Sequence, residues 1–291
     1  MAALALLAAV IASGALKSGW FAVEPGDVVA ANLRDGSVAA FDGRSGAFRG
    51  YLVEPGKGGL AGATGVAFGP NGDLFVGSSS TDQVLRYARG TGAFLGAFVD
   101  GGELGGPFSL VFGPDGDLFV SSSARNQVLR FDGQSGAYKG IAAADSSLGT
   151  PIGVRFGANG LLYVSNARGS SVDRFDPADG KLVDRFAAGV RFASDVAFSP
   201  DGDLYVSSAA TFSVLRFDSE TGVLADTVAV LPDRGVPVGL AFAPDGRLFV
   251  SDFGRSRLFV IEPGSSEPRL LATEGLAGPE NIAVVPAPAT R

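Results

Sequence analysis

Histidine and cysteine are both missing from this 291-residue chain, and their absence limits the chemistry open to it. Without cysteine there is no thiolate nucleophile, no disulfide and no Cys-type zinc or iron–sulfur site. Without imidazole there is no Ser–His or Cys–His relay and no histidine ligand for a metal. What remains is mostly oxygen chemistry, in which carboxylates, amides and hydroxyls coordinate a hard cation or orient a polar ligand. Six such side chains stand where repeated positions of the chain otherwise carry small or apolar residues: Asn32, Asn166, Asp195, Asp252, Glu280 and Asn281. Asp195, Asp252 and Glu280 are the candidate ligands for Ca2+ or Mg2+, and the three amides are further contacts to a bound molecule. The competing expectation is that these groups cap backbone N–H groups or contact channel water. No cofactor is required of the chain as a whole, and Ca2+ or Mg2+ is the one its residues could hold.

The elements that must position these residues follow from one phrase written five times. It reads GPNGDLFVGSS from Gly69, GPDGDLFVSSS from Gly113, GANGLLYVSNA from Gly157, SPDGDLYVSSA from Ser199 and APDGRLFVSDF from Ala243, at intervals of 44, 44, 42 and 44 residues. A fixed period in this range marks a repeat architecture in which no unit buries its apolar face alone. Each repeat contains four extended pieces, and in the third they span residues 109–114, 117–123, 126–132 and 137–144. Pro-Asp-Gly between the first two is a tight turn, where Pro presets φ and Gly accepts positive φ. Runs such as Leu118-Phe119-Val120 do not alternate with polar residues, so both faces of that strand are expected to be buried. Four-stranded antiparallel sheets stacked face to face around an axis have this pattern, which is that of an all-β propeller.

Six blades are expected. The second-to-fourth pieces occur six times, the first copy degenerate, whereas the first piece precedes only five of them. Its best remaining match is GPENIAVVP at residues 278–286, so the C-terminal strand is expected to complete the N-terminal blade and close the ring. Residues 20–24 compete for that place but match it poorly. The domain boundaries expected are a leader or disordered start over residues 1–19, one propeller over 20–286 and a tail over 287–291. The residues just before each innermost strand line the channel mouth. There the aligned pairs are Thr64-Gly65, Phe108-Ser109, Ile152-Gly153, Ser194-Asp195, Val238-Gly239 and Glu280-Asn281. After the second strand the column reads Asn32, Ser78, Ser122, Asn166, Ser208 and Asp252, which places the acids in blades five, six and one.

Other periodic residues carry structural expectations. The aromatics Phe68, Phe112, Phe156, Phe198 and Phe242, with Phe75, Phe119, Tyr163, Tyr205 and Phe249, are expected to pack between blades rather than bind carbohydrate. Arg86, Arg130, Arg174 and Arg216 are expected to pair with Asp132, Asp176 and Asp218 or to cover apolar surface. The turn aspartates Asp73, Asp115, Asp117, Asp201, Asp203 and Asp245 lack the spacing of a calcium loop.

A formal charge of −7 disfavours nucleic acid and anionic membranes as partners. The opening MAALALLAAVIASGALKSGW is apolar, is too short to span a bilayer and carries a small-x-small triplet at Ser13-Gly14-Ala15. It points to a secretory leader and export, to the periplasm or the medium; the alternative is a frayed or misannotated start on a cytoplasmic protein.

VLRFDGQSGAYKG, GPDGDLFVSSS and GPENIAVVP resemble NHL-repeat propellers and the wider group that holds gluconolactonase-like proteins and virginiamycin B lyase. The resemblance covers residues 27–286 and implies the six-bladed fold. Gluconolactonase-like enzymes hold a divalent cation with acidic and amide side chains at the channel mouth. Carried onto this chain, those ligands fall at Thr64, Phe108, Ile152, Ser194, Val238 and Glu280, of which only Glu280 ligates strongly. The lyase relies on histidine, which this chain lacks. The expected function is therefore a non-catalytic, NHL-like binding propeller, monomeric, offering its channel-mouth face to a small polar ligand or a protein. The alternative is a divalent-cation-dependent hydrolase of lactones or esters with a degenerate site.

Overall fold

In a computed structural model describing residues 22–287, six four-stranded antiparallel sheets form a closed ring. Five blades are continuous in sequence, with innermost strands Ala63–Phe68, Pro107–Phe112, Pro151–Phe156, Ala193–Phe198 and Pro237–Phe242. The sixth sheet joins the two ends of the described chain: Pro279–Val284 lies innermost, followed by Val28–Asn32, Ser37–Phe41 and Phe48–Val53. Val28 faces Val284 and Ala30 faces Ile282, so the expected closure by the C-terminal strand is present. Residues 22–24, by contrast, form no strand. The expected leader over residues 1–19 and all of the tail except Ala287 lie outside the described residues.

Each second strand is buried on both faces, as Leu118–Ser122 and Leu162–Asn166 illustrate. The buried side chains fall into clusters between adjacent blades. Val76 and Leu74 pack with Val29 and Val38 of the first blade, while Phe75, on the other face of the same strand, packs with Leu118 and Leu129. Aromatic pairs cross four of these junctions edge to face: Phe75–Phe112, Phe119–Phe156, Tyr163–Phe198 and Tyr205–Phe242, with centroids 4.8–5.0 Å apart. Each such pair adds roughly 0.5–1.5 kcal/mol beyond the area it buries.

Nearer the axis the junctions are polar. The inner strands carry a bulge, for example between Pro151 and Val154, which leaves a backbone amide without a ladder partner. The second strand supplies a hydroxyl for it. Gly153 N–H donates to Ser165 Oγ at 2.7 Å, and that hydroxyl donates onward to the Ser194 carbonyl of the next blade. The arrangement recurs with Ser121 between Ser109 and Ile152, Ser207 between Asp195 and Val238, and Ser251 between Gly239 and Glu280. In the second blade Gly77 replaces this serine, and Thr64 Oγ1 donates to the Pro107 carbonyl instead. One hydroxyl thus satisfies a bulge and fastens a neighbour. An amide left unpaired in such a place costs about 1–3 kcal/mol.

The arginine column is structural, but its partners differ from those expected. Arg86 pairs with Asp73, Arg130 with Asp115 and Asp117, Arg174 with Asp184, and Arg216 with Asp203 and Asp226. Asp132 and Asp218 instead accept from turn groups at Ser135 and Thr221, and Asp176 from the Ala178 amide. The ladder explains the difference: Arg86 lies opposite Phe75, over whose ring its guanidinium sits, beside the aspartates of the first hairpin.

Deleting residues 278–291 strips the inner strand from the first blade and opens an edge on both sides of the ring. The truncated protein is expected to aggregate or to melt well below the full chain. A melting temperature within a degree or two of the full-length protein, measured by circular dichroism, contradicts the composite blade.

Candidate functional site

The inner strands approach the axis by alternating side chain with glycine. At the second position of the aligned mouth pairs, blades two, four and six carry Gly65, Gly153 and Gly239, whereas blades three, five and one carry Ser109, Asp195 and Asn281. The glycines are required by space. A Cβ at Gly65 would lie 2.6 Å from the Phe108 carbonyl oxygen, one at Gly153 2.5 Å from Asp195 Oδ1, and one at Gly239 2.5 Å from the Glu280 carbonyl oxygen.

These side chains meet through Arg155, which breaks an inner-strand column otherwise made of Ala67, Val111, Ala197, Ala241 and Ala283. Arg155 Nη1 donates to Ser109 Oγ at 3.1 Å and to its neighbouring Val154 carbonyl, while Nη2 reaches Asp195 Oδ2 at 3.4 Å. The Leu240 amide and Asn281 Nδ2 donate to the same Asp195 oxygen, each at 3.1 Å. Five blades thus contribute to one buried polar crossing of the channel. Asp195 is 1% exposed, and burial raises its carboxyl above the usual range against the pull of Arg155 and the two donors. Its Oδ1 and the Oδ1 of Asn281 have no hydrogen-bond partner among the described residues.

Of the six candidates only Asp195 and Asn281 are thereby brought into contact. Asn32, Asn166 and Asp252 hold the loops that lead into the inner strands. Asn32 Oδ1 accepts from the Ala277 amide at 3.0 Å, Asn166 Oδ1 from Gly149 at 2.9 Å and Asp252 Oδ1 from Val236 at 2.8 Å. Ser78, Ser122 and Ser208 at the same place bond Ala61, Gly105 and Arg191. Asp252 Oδ2 is taken by Arg257 at 2.8 Å. Capping, the competing expectation, describes these three residues. The metal set of Asp195, Asp252 and Glu280 does not assemble: among the described residues no three Asp or Glu side chains gather as metal ligands. The reason is positional, because Asp252 belongs to a second strand and Asp195 points to the axis.

Glu280 keeps the mouth position, level with Thr64, Phe108, Ile152, Ser194 and Val238, and is 7% exposed. Burial alone pushes its carboxyl up to about 7. Sequence reasoning placed Ser109 at the mouth but missed Arg155, which bonds it, and the serines before the capping column. The break in the Val/Ala column and the recurrent Ser in FVSS and YVSS were the signals available.

On the face opposite the mouth, where inner strands turn into second strands, the channel widens into a cavity of about 460 Å3. All six inner strands line it. The half-buried rings of Phe68, Phe112, Phe156, Phe198 and Phe242 form part of its wall, and Arg155 is its one charged lining residue.

Solved structures confirm the fold. A chain of the nidogen/laminin complex superposes with a TM-score of 0.72 at 13% identity, covering 89% of this chain and 98% of its own. A catalytically inactive virginiamycin B lyase from Staphylococcus aureus with quinupristin gives 0.62 at 10% identity, covering 89% of each chain. A streptogramin B lyase gives 0.60 at 16% identity, with coverage of 89% and 78%. No family model matches this chain, and no curated protein sequence does.

The Glu280 shift has a measurable sign. Between about pH 4.5 and 7 the folded state keeps a proton that the unfolded chain has released, so this group's contribution to stability falls as pH rises through that window. The full effect is about 3 kcal/mol. Glu280→Gln is expected to raise stability at pH 8 by that order and to leave it nearly unchanged at pH 4. Urea unfolding of both proteins across this range checks it, and equal curves at pH 8 contradict it.

Proposed function

We propose that this chain is a non-catalytic binding propeller that takes a small ligand or a protein partner at an end of its ring. The observation that carries this reading is how the oxygen-bearing side chains are used. Asn32, Asn166 and Asp252 bond loop amides, and Asp195 and Asn281 bond each other across the axis. Catalysis by a bound metal needs fixed ligands and an open coordination position, and hydrolysis here would have Glu280 alone to rest on. The likeness to a chain of the nidogen/laminin complex favours a protein partner among the alternatives. The likeness to the lyases does not favour their chemistry, since histidine is missing. Export remains part of the proposal through the apolar opening of the sequence, and so does action as a monomer without nucleic acid. Among the described residues no helix is long and apolar enough to cross a membrane.

Catalysis is directly testable. With millimolar Ca2+ or Mg2+, glucono-δ-lactone and simple γ-lactones are expected to hydrolyse at the buffer rate. Turnover well above that rate that disappears on chelation would establish the hydrolase instead.

A further inference from the structure

The cavity opposite the mouth joins two features that are costly apart. Its walls are apolar, built from Val66, Leu110, Leu240, Ile282 and the ring of phenylalanines, yet Arg155 is among its lining residues. The Arg155 side chain is 22% exposed, more than the 2% of the Asp195 side chain it pairs with. Its pairing is incomplete. Among the described residues the one carboxylate paired with it lies 3.4 Å away, and the oxygen it approaches already accepts from the Leu240 amide and from Asn281. A cation held beside apolar walls and poorly paired costs free energy that a second anion would recover. Arginine presents a planar fork that matches a carboxylate in two parallel hydrogen bonds.

Resting on the binding reading above, we propose that this cavity binds a small molecule with one carboxylate head and an apolar body, the head on Arg155 and the body against the phenylalanine ring. Size agrees, since small-molecule sites occupy roughly 300–1,000 Å3. Charge selects within that size range. A neutral apolar molecule leaves Arg155 desolvated without a new partner. A cation meets it directly. A doubly charged head such as a phosphate monoester brings one more negative charge beside Asp195 than the single guanidinium can offset.

Calorimetric titration of the full chain with decanoate, decanol and decyltrimethylammonium, each below its micelle concentration, tests the assignment. Decanoate is expected to bind at one site per chain, decanol at least tenfold more weakly, and the ammonium not at all. Arg155→Gln is expected to weaken decanoate at least tenfold and leave decanol unchanged. Ala241→Phe fills the cavity from another blade while leaving Arg155 in the sequence and is expected to abolish both, so the test survives if Arg155→Gln fails to fold. Decanol binding as tightly as decanoate, or decanoate binding to Ala241→Phe undiminished, overturns the carboxylate assignment while the binding-propeller reading stands. Absence of binding by all three probes, or uptake of many molecules per chain, overturns the cavity as a ligand site. Failure of the broader reading would show elsewhere, as chelator-sensitive lactone turnover.

Discussion

The interaction on which the ring depends is a single hydroxyl hydrogen bond repeated around the axis. A bulge in each inner strand frees an amide, and in four blades a serine one strand out accepts from that amide and donates to the next blade's carbonyl. A blade cannot bury both faces alone, so its stability is shared with two neighbours. The serines couple that sharing to backbone geometry at the narrowest part of the molecule. Where the series ends, between the first and second blades, Ala31 stands in the serine's place and the junction is apolar, with Val29, Val38, Val66 and Val76 in one cluster.

Crowding at the axis explains why so few of the polar residues there are free for chemistry. Glycine on alternate blades lets neighbouring strands approach, and the intervening Ser109, Asp195 and Asn281 fill the remaining space. Arg155 then ties them across the channel. The result is a propeller with a polar crossing at its centre, a buried carboxyl at one end and an apolar cavity at the other. Such an axis is suited to holding the blades in register. The surfaces left for a partner are the two ends.

The fold was legible in the sequence because its signals are local and repeated. Pro-Asp-Gly turns marked the first hairpin, and Gly116 in one of them adopts φ 84°. The unalternating Leu-Phe-Val runs marked strands buried on both faces, and the displaced GPENIAVVP marked the closure. The site was only partly legible. Aligned columns placed Asp195, Glu280 and Asn281 together at the channel mouth. They could not show whether a carboxylate points to the channel or back to a loop, as that depends on the bulge and on the neighbouring blade. Asp252 turned to Val236 and Arg257 for that reason. Arg130 likewise found Asp115 and Asp117 across the ladder rather than Asp132 along the chain.

The serine that fastens the last blade to the first offers the most direct test. Ser251 accepts from Gly239 and donates to the Glu280 carbonyl of the closing strand. Urea unfolding of Ser251→Ala should show a loss of about 1–3 kcal/mol, the cost of an unsatisfied buried amide and carbonyl. A loss within a few tenths of a kcal/mol, the range of an ordinary surface substitution, would contradict the view that these hydroxyls hold the ring together.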